Sequence, residues 1–535
     1  MKKSIYFTLI FAVQTALLVG STQDSTANIS FNSSAPRPDI LYILVDDMGY
    51  SDLGSYGSEI ETPTLDRLAS EGIRFSEFYN SSKCEPSRAT IMSGHYWPVT
   101  GLGVQRGATL GEVMRAADYA TFALGKWHLN GHPKDRGFDR FFGHLSGASA
   151  FFPPLDQSFQ YGRHPFQPKN PDYYVTDGIT NRAIEFITDL KTRKPEKPYF
   201  MYLAYNAPHN PLQAPKKSID KYRGKYMAGW EHFRKQRFAR MQDLGIIGSE
   251  AKLSAKPTNI PDWDSLSPKQ KELEDLRMAT YAAMIDRLDQ NLARLFRTLS
   301  ESGLDKNLLV IFMSDNGASP YARTDEVMLK NGKLPGDPGS NWEIGMAWAN
   351  VSNTPLRLYK RNQHEGGIST PFIAWWPGRV VEPGSITDQP GHIIDLMPTF
   401  LELAGGNYAA AGKGKQLPPL PGKSLRPILE GKERAPHENL YFQLFDHRAI
   451  RSGDWKLTAV DHKEWELYNL AEDRSETSDL TNQHPKKVQE LSTQWENWWL
   501  EAYGKPYSEF RNPTPPAHLR DDREGGTPYV PTAMP

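Results

Sequence analysis

The stretch that decides the fold is Asp39-Ile40-Leu41-Tyr42-Ile43-Leu44-Val45-Asp46-Asp47-Met48-Gly49. Its apolar run, Ile40 to Val45, is continuous instead of alternating, and it ends in two aspartates. A short run without polar interruptions is typical of a β-strand buried on both faces, as in a parallel sheet covered by helices. The aspartates then mark the carboxyl end of that strand, which is where ligands bind in open α/β sheets.

The chain beyond this stretch alternates between strand-like and helix-like segments up to about residue 435. Strands are predicted at residues 73–79, 121–124, 199–205, 308–313 and 371–376, and helices at 64–71, 109–117, 181–191 and 268–299. Apolar runs that alternate with amphipathic helices favour parallel pairing, because each helix covers one face of the sheet. We therefore predict an α/β fold with a large mixed, mostly parallel sheet sandwiched by helices.

Changes in this pattern suggest the domain boundaries. Residues 36–435 form the predicted main domain, which a polar insertion at 216–267 interrupts. Residues 436–507 are predicted to form a smaller C-terminal α+β domain, with antiparallel strands at 439–445, 448–460 and 466–470 and a closing helix at 486–499. The Pro- and Gly-rich residues 508–535 are predicted to be an irregular tail.

The N-terminus has the pattern of an export signal, which we assign to residues 1–22. Lys2 and Lys3 precede the mainly apolar stretch Ile5 to Gly20, and polar residues follow. This stretch is short for a membrane span, which needs about 20 residues, so a cleaved signal is favoured over an anchor. We expect export, to the periplasm or the medium, without stable membrane insertion.

Composition excludes one class of partner and makes one residue conspicuous. Lys and Arg total 62 and Asp and Glu total 63, which gives a net charge of −1 and no basic footprint for a nucleic acid. The chain has one cysteine, Cys84, which cannot form an internal disulfide. A lone thiol in an oxidising compartment is a liability unless it has a function.

Polar side chains follow several of the predicted strands. Asp46 and Asp47 end the first strand, and Asp315 and Asn316 follow the strand at 308–313. Their side-chain oxygen atoms suit calcium or magnesium rather than zinc or copper. Either pair alone could equally be a helix cap or a turn. Three more candidates follow other strands: Lys126, His128 and His209.

Cys84 lies in the segment Ser82-Lys83-Cys84-Glu85-Pro86-Ser87-Arg88. Pro86 suits the first turn of a helix that runs to about Met92, so Cys84 would begin that helix. Backbone N–H groups and the helix dipole favour an anion at such a position. The alternative is a buried structural cysteine, which is more common, but its flanking residues are too polar for a core segment.

These motifs, with others along the chain, resemble in identity and order those of the formylglycine-dependent sulfatases, of arylsulfatase type. They are the 39–49 stretch, Cys84-x-Pro86-Ser87-Arg88, Gly125-Lys126-Trp127-His128-Leu129, Ala207-Pro208-His209, Ser314-Asp315-Asn316-Gly317, Lys360 with Glu365-Gly366-Gly367, and Glu466-Leu467-Tyr468-Asn469-Leu470. The likeness extends from about residue 38 to 499, and the 216–267 insertion looks most like that of bacterial arylsulfatases.

The resemblance implies an alkaline phosphatase-like fold and hydrolysis of sulfate monoesters. It implies that a maturation enzyme oxidises Cys84 to formylglycine, whose hydrated aldehyde is the nucleophile. By the same resemblance one calcium ion is held by Asp46, Asp47, Asp315 and Asn316, with modified Cys84 as a further ligand.

The resemblance also assigns the remaining charged residues. Arg88 would steady the hydrated aldehyde, and Lys126 and Lys360 would hold sulfate oxygens. His209 would protonate the leaving oxygen, and His128 would accept the proton that releases sulfate.

Two rival functions stay open at this stage. The same superfamily fold serves phosphate and phosphonate ester hydrolases, and a secreted protein with a dead site could simply bind sulfated glycans. The substrate itself, a sulfated small molecule or glycan, is also open. An aromatic group, listed as Phe141, Phe142, Phe151, Phe152 and Tyr161, belongs either to the core or to an apolar pocket for an aryl group.

Overall fold

The structure is a computed structural model that describes residues 37–412, 414, 416–460, 464–510 and 528–534. The export signal predicted for residues 1–22 lies outside the described residues, and so does most of the predicted tail. Within the described part of the chain, no helix is both long and apolar enough to cross a membrane.

The main sheet has ten strands in the order β11-β2-β10-β9-β1-β8-β4-β5-β6-β7. In chain order the strands of the structure are β1 Asp39–Asp46, β2 Ile73–Phe75, β3 Phe78–Tyr79, β4 Ala120–Lys126, β5 Arg140–His144, β6 Gln160–Tyr161, β7 His164–Pro165, β8 Tyr199–Pro208, β9 Leu308–Ser314, β10 Phe372–Trp375, β11 Ile386–Thr387, β12 Gly391–His392, β13 Leu440–Leu444, β14 His447–Ser452, β15 Trp455–Ala459 and β16 Glu466–Asn469. Strands β9, β1, β8, β4 and β5 run parallel to one another, whereas β10 is antiparallel to both its neighbours. The predicted α/β class is confirmed.

Strand β1 shows why its sequence is uniformly apolar. Its alternate residues Leu41, Ile43 and Val45 lie in one hydrophobic core, and Ile40 and the other intervening residues lie in a second core on the opposite face. Both faces are therefore covered, which removes the need for polar residues along the strand. The polar residues begin only where the strand leaves the two cores.

Helices cover both faces of the sheet. They are α1 Pro63–Glu71, α2 Cys84–Ser93, α3 Trp97–Thr100, α4 Leu110–Ala116, α5 Val175–Arg193, α6 Lys216–Asp220, α7 Trp230–Asp243, α8 Pro268–Glu301, α9 Asp325–Lys330, α10 Met346–Ser352, α11 Glu365–Ile368, α12 Leu396–Ala404, α13 Tyr408–Ala411, α14 Arg426–Leu429 and α15 Pro485–Tyr503. Helices α1, α5, α7 and α8 contribute to one core, and α2, α4 and α12 to the other. Ser267 and Gln270 form a capping box that starts the long helix α8.

The segment predicted as an insertion, 216–267, contains α6 and α7 and packs against α8 and α10. Its Arg237 is fully buried and forms ion pairs with Asp52 and Glu59. Asp52 in turn accepts a hydrogen bond from the backbone N–H of Gly49, at 2.8 Å. The insertion thus supports the loop that follows β1.

The C-terminal part forms a separate antiparallel sheet, β13-β14-β15-β16, covered by α15. One strand prediction was wrong here: residues 448–460 form the two strands of a hairpin rather than one strand. Gly453, which has a φ of 56°, lies at the turn, and this backbone conformation suits glycine. The extended segment predicted at 73–79 likewise divides into β2 and β3, which belong to different sheets.

Candidate active site

The predicted site residues converge at the carboxyl ends of neighbouring parallel strands. Asp46 and Lys126 are the last residues of β1 and β4, and Asp315 directly follows β9. Lys126 Nζ donates to Asp46 Oδ2 at 2.7 Å, and both side chains are buried. Residues 80 positions apart in the chain are therefore in direct contact, because the strands that carry them end at the same edge.

Cys84 begins helix α2 and points into this cluster. Its Sγ lies 3.5 Å from Asp46 Oδ1 and 4.0 Å from Asp47 Oδ1, and Lys360 Nζ donates to it at 3.1 Å. Burial opposes ionisation of the thiol, but the positive charges of Lys126 and Lys360 lower the pKa of Cys84 to about 6. A thiol held among charged groups at a helix start is placed for chemistry rather than for core packing.

Oxygen ligands for a metal ion gather around the thiol. Asp46, Asp47, Cys84 and His209 each offer a ligand atom, and these atoms lie within 4.8 Å of one another. Asn316 Nδ2 donates to Asp47 Oδ1 at 2.7 Å. Among the described residues, Asn316 Oδ1 and Asp47 Oδ2 are buried without a hydrogen-bond partner. Buried oxygens without donors are what a hard cation would satisfy, so these residues fit a hard divalent cation such as calcium.

Arg88 and Asp315 form the buried floor of the cluster. Arg88 Nε and Nη2 lie 3.1 Å and 2.9 Å from Asp315 Oδ2, and Arg88 Nη1 donates to the Lys126 carbonyl at 2.8 Å. Burial and the negative charge of Asp46 raise the pKa of Asp315 to about 6. Arg88 therefore joins helix α2 to the ends of both β4 and β9.

The two histidines have opposite electrostatic surroundings. His209 Nε2 lies 3.6 Å from Asp47 Oδ2. Burial opposes its protonation, but the charges of Asp46 and Asp47 raise the pKa of His209. Burial and the positive charges of Lys126 and Arg88 lower the pKa of His128 far below its usual value. Titratable groups whose pKa values are pushed apart are suited to separate acid and base roles.

Two supporting residues were not assigned a role from the sequence: Tyr281, and Ser314, which was quoted only as part of the 314–317 motif. Tyr281, in the middle of α8, donates to Asp52 Oδ2 at 2.7 Å, and its hydroxyl oxygen also lies 3.1 Å from the Asp47 carbonyl oxygen. Ser314 Oγ accepts from the backbone N–H of Met48 at 3.0 Å. Both side chains are buried, and Tyr281 fits the ordinary pattern of a helix, so only the folded arrangement reveals its contact with the site.

The aromatic group belongs mainly to the core. Phe141, Phe142, Phe151 and Phe152 are buried in the two cores that flank the sheet, whereas Tyr161 is 37% exposed. Phe141 and Phe142 lie on β5 itself, and the Phe142 ring packs against Tyr161 with centroids 6.0 Å apart.

Comparison with known proteins agrees with this geometry. The Sulfatase family model matches residues 38–406, and the C-terminal model of N-sulphoglucosamine sulphohydrolase matches residues 357–500. The chain belongs to the sulfatase family. It is 33% identical to the arylsulfatase of Klebsiella aerogenes, over 76% of this chain and 94% of that protein. It is also 33% identical to an uncharacterized sulfatase of Schizosaccharomyces pombe, over 87% of this chain and 94% of that protein.

Solved structures show the same relationship. The crystal structure of Ps i-CgsB in complex with k-i-k-neocarrahexaose matches with a TM-score of 0.65 and 25% identity, over 91% of this chain and 97% of that chain. The large mixed sheet and the small antiparallel sheet are those of the sulfatases in the alkaline phosphatase superfamily. This sulfatase is accordingly a sulfuric ester hydrolase.

Proposed function

We propose that this sulfatase hydrolyses sulfate monoesters to an alcohol or phenol and inorganic sulfate, in the manner of an arylsulfatase, with Cys84 converted to formylglycine and one calcium ion bound. The observation that carries the proposal is the position of Cys84. Cys84 is the first residue of a helix. Its Sγ lies beside two carboxylates and accepts a hydrogen bond from a buried lysine. That combination supports the proposal that an anionic ester and a cation would meet at position 84.

Asp46, Asp47, Asp315 and Asn316, with position 84, would hold the calcium ion. Bound there, calcium neutralises negative charge on the sulfate group and orients it. Asp47 Oδ2 and Asn316 Oδ1, which are buried without a donor in the described part of the chain, are the oxygens most readily available to it. Asp315 is already fixed by Arg88, so its placement does not depend on the ion.

Formylglycine supplies two hydroxyls on one carbon once hydrated, one to attack sulfur and one to release sulfate. Cys84 is nearly inaccessible in the folded protein, with 3% of its surface exposed. The maturation enzyme would therefore act on the chain before it folds. Arg88, fully buried against Asp315, holds the first turn of α2 and so fixes position 84.

The remaining charged side chains are proposed to bind the sulfate oxygens and to transfer protons. Lys126 and Lys360 both point at the cluster and would bind sulfate oxygens as charge-assisted donors. The raised pKa of His209, caused by Asp46 and Asp47, favours its protonated form, which would suit it to protonate the leaving oxygen. The lowered pKa of His128 keeps it neutral, which suits it to accept the proton as sulfate leaves.

The substrate is proposed by class only: an aryl sulfate or a sulfated glycan. The arylsulfatase relative supports the first, and the complex of Ps i-CgsB with k-i-k-neocarrahexaose supports the second. Periplasmic or secreted location, after removal of the signal at residues 1–22, is part of the same proposal.

The test compares matched aryl sulfate and aryl phosphate substrates with calcium present, chelated and restored. Calcium-dependent turnover of the sulfate, well above that of the phosphate, is expected. Faster phosphate turnover would favour the phosphate ester hydrolase. A mass spectrum of the peptide that contains Cys84 would accompany the assay, because an unmodified thiol in protein from the native host would favour a binding protein with a dead site.

A further inference from the structure

The loop that carries Lys360 is held in an unfavourable backbone conformation. Leu358 and Arg361, close to Lys360 on either side, have positive φ values of 60° and 76°. Residues other than glycine rarely adopt such values unless the surrounding structure imposes them. The two ends of the loop are joined, since the backbone N–H of Gly366 donates to the Arg357 carbonyl at 2.9 Å. Contacts that hold Arg357 and Gly366 in place therefore also hold the loop between them, which contains Lys360.

A buried charge network from the C-terminal sheet holds the far end of the loop. Lys456, on β15, is fully buried, and its Nζ lies 2.8 Å from Glu365 Oε1 and 2.8 Å from Glu476 Oε1. Glu476 Oε2 also accepts from the backbone N–H of Glu365, at 2.8 Å. Lys456 thus joins two buried carboxylates, and Arg474, whose Nε lies 3.5 Å from Glu365 Oε2, adds a second positive charge to the network.

A second tie comes from β16. Glu466 Oε2 accepts from Arg357 Nη1 at 2.8 Å and from His364 Nε2 at 3.1 Å. Arg357 and His364 lie on opposite sides of Lys360 in the chain. The loop is therefore tied to the C-terminal sheet both before and after the lysine.

The same sheet also contacts the site from another side. Phe445, at the tip of the β13–β14 hairpin, lies with its ring 5.0 Å from Lys83 Nζ and 5.1 Å from the guanidinium of Arg361. These cations are the chain neighbours of Cys84 and Lys360. The Phe445 ring therefore contacts both the residue before Cys84 and the residue after Lys360.

We infer that the C-terminal sheet is a positioning element of the active site, and that Lys456 is the positioning residue that holds Lys360 against Asp47 and position 84. This inference rests on the role proposed for Lys360 in sulfate binding. Lys360 Nζ contacts both Asp47 Oδ1 and Cys84 Sγ, so a small shift of the loop breaks two contacts at once. Misplacement of a catalytic group by about 1 Å can lower the rate about 100-fold.

The inference is tested by a double-mutant cycle of Lys456→Met and Lys360→Met, read as kcat and KM for an aryl sulfate. Lys456→Met alone is expected to lower kcat/KM about 100-fold. In the Lys360→Met background the same change should lower it by no more than about twofold, because its effect passes through Lys360. An equal loss in both backgrounds would mean that Lys456 acts only on stability and would overturn the inference.

Arg434→Met is the matched control. Arg434 is also buried and ion-paired, with Nη1 2.8 Å from Asp395 Oδ2, but it lies outside the Lys360 loop and its network. It should lower the unfolding midpoint while leaving kcat/KM within about twofold of wild type. A comparable loss of kcat/KM in this control would overturn the inference, since any damaged ion pair would then have the same effect.

If Lys456→Met alone does not fold, it is combined with Glu476→Gln. The double variant removes one positive and one negative charge together, so it leaves no unpaired charge from this ion pair. A crystal structure of whichever variant folds gives a direct measurement, with Lys360 Nζ expected to move away from position 84. An unmoved Lys360 would refute the inference. Failure of the proposed function is distinguishable, because it would appear as absent sulfate ester turnover in the wild-type enzyme itself.

Discussion

Replacing Lys360 by Met removes one positive charge from the site while keeping a side chain of similar length. Lys360 Nζ lies 3.1 Å from Cys84 Sγ and is buried. Consider a sulfate oxygen with one negative charge held at that separation from Nζ. With an effective dielectric constant of about 20, it would interact with the lysine charge by about 5 kcal/mol. If all of it stabilised the transition state, the rate would fall between about 10³- and 10⁴-fold. Because Lys126 remains beside the same cluster, we expect a smaller loss, of about 10²- to 10³-fold, as for a single oxyanion donor.

The assay is kcat/KM on an aryl sulfate, with thermal unfolding measured on the same protein samples. Lys432→Met is the matched control, because Lys432 Nζ also forms an ion pair, 2.8 Å from Glu430 Oε2, but its side chain is 68% exposed. The control should change neither quantity, since exposed pairs contribute about 0–1 kcal/mol. Folded Lys360→Met enzyme with wild-type turnover would refute the assignment of this lysine to sulfate binding.

Three further predictions follow from the same geometry. Cys84→Ala should abolish turnover while circular dichroism stays that of wild type, because the side chain points into the site; retained activity would exclude it as the nucleophile. Chelation of calcium should abolish turnover, and Asp47→Asn should raise the calcium concentration needed to restore it; activity that survives full chelation would rule out the metal. Trp495→Ala, at a fully buried ring stacked on Trp499 with centroids 5.8 Å apart, should destabilise the C-terminal domain by about 3–5 kcal/mol, measured by denaturant unfolding; an unchanged unfolding profile would contradict its place in that core.

The central sheet was predictable because each buried strand carries its own signal. Ile40 to Val45 is apolar throughout since both faces of β1 are covered, and its aspartates begin where the cover ends. Parallel strands bring their carboxyl ends to one edge, so residues as distant as Asp46 and Asp315 could be placed together from the sequence alone. For the central sheet, the apolar pattern of each strand and its burial in the fold therefore agree.

The C-terminal region was harder to predict because its decisive features are not local. The hairpin at Gly453 looks like one long strand, since residues on both sides of the turn favour extended structure. The tie between Lys456 and Glu365 joins residues 91 positions apart, and nothing in either segment marks the partner. Long-range ion pairs depend on the packing of two sheets, which sequence periodicity does not specify.

The charges of the site would explain why the proposed cation lies among so many basic side chains. Three buried carboxylates face three buried cations, and a protonated His209 would add one more positive charge beside Asp47. The three pairs of opposite charge are formed by Asp46, Asp47 and Asp315 with Lys126, Lys360 and Arg88. A balanced cluster attracts an anionic ester only weakly. A divalent cation bound by the carboxylates leaves a net positive site, which then favours a sulfate group electrostatically. On the proposed assignment the carboxylates and the lysines would not compete, because the carboxylates would hold the metal and the lysines would be left to bind the substrate.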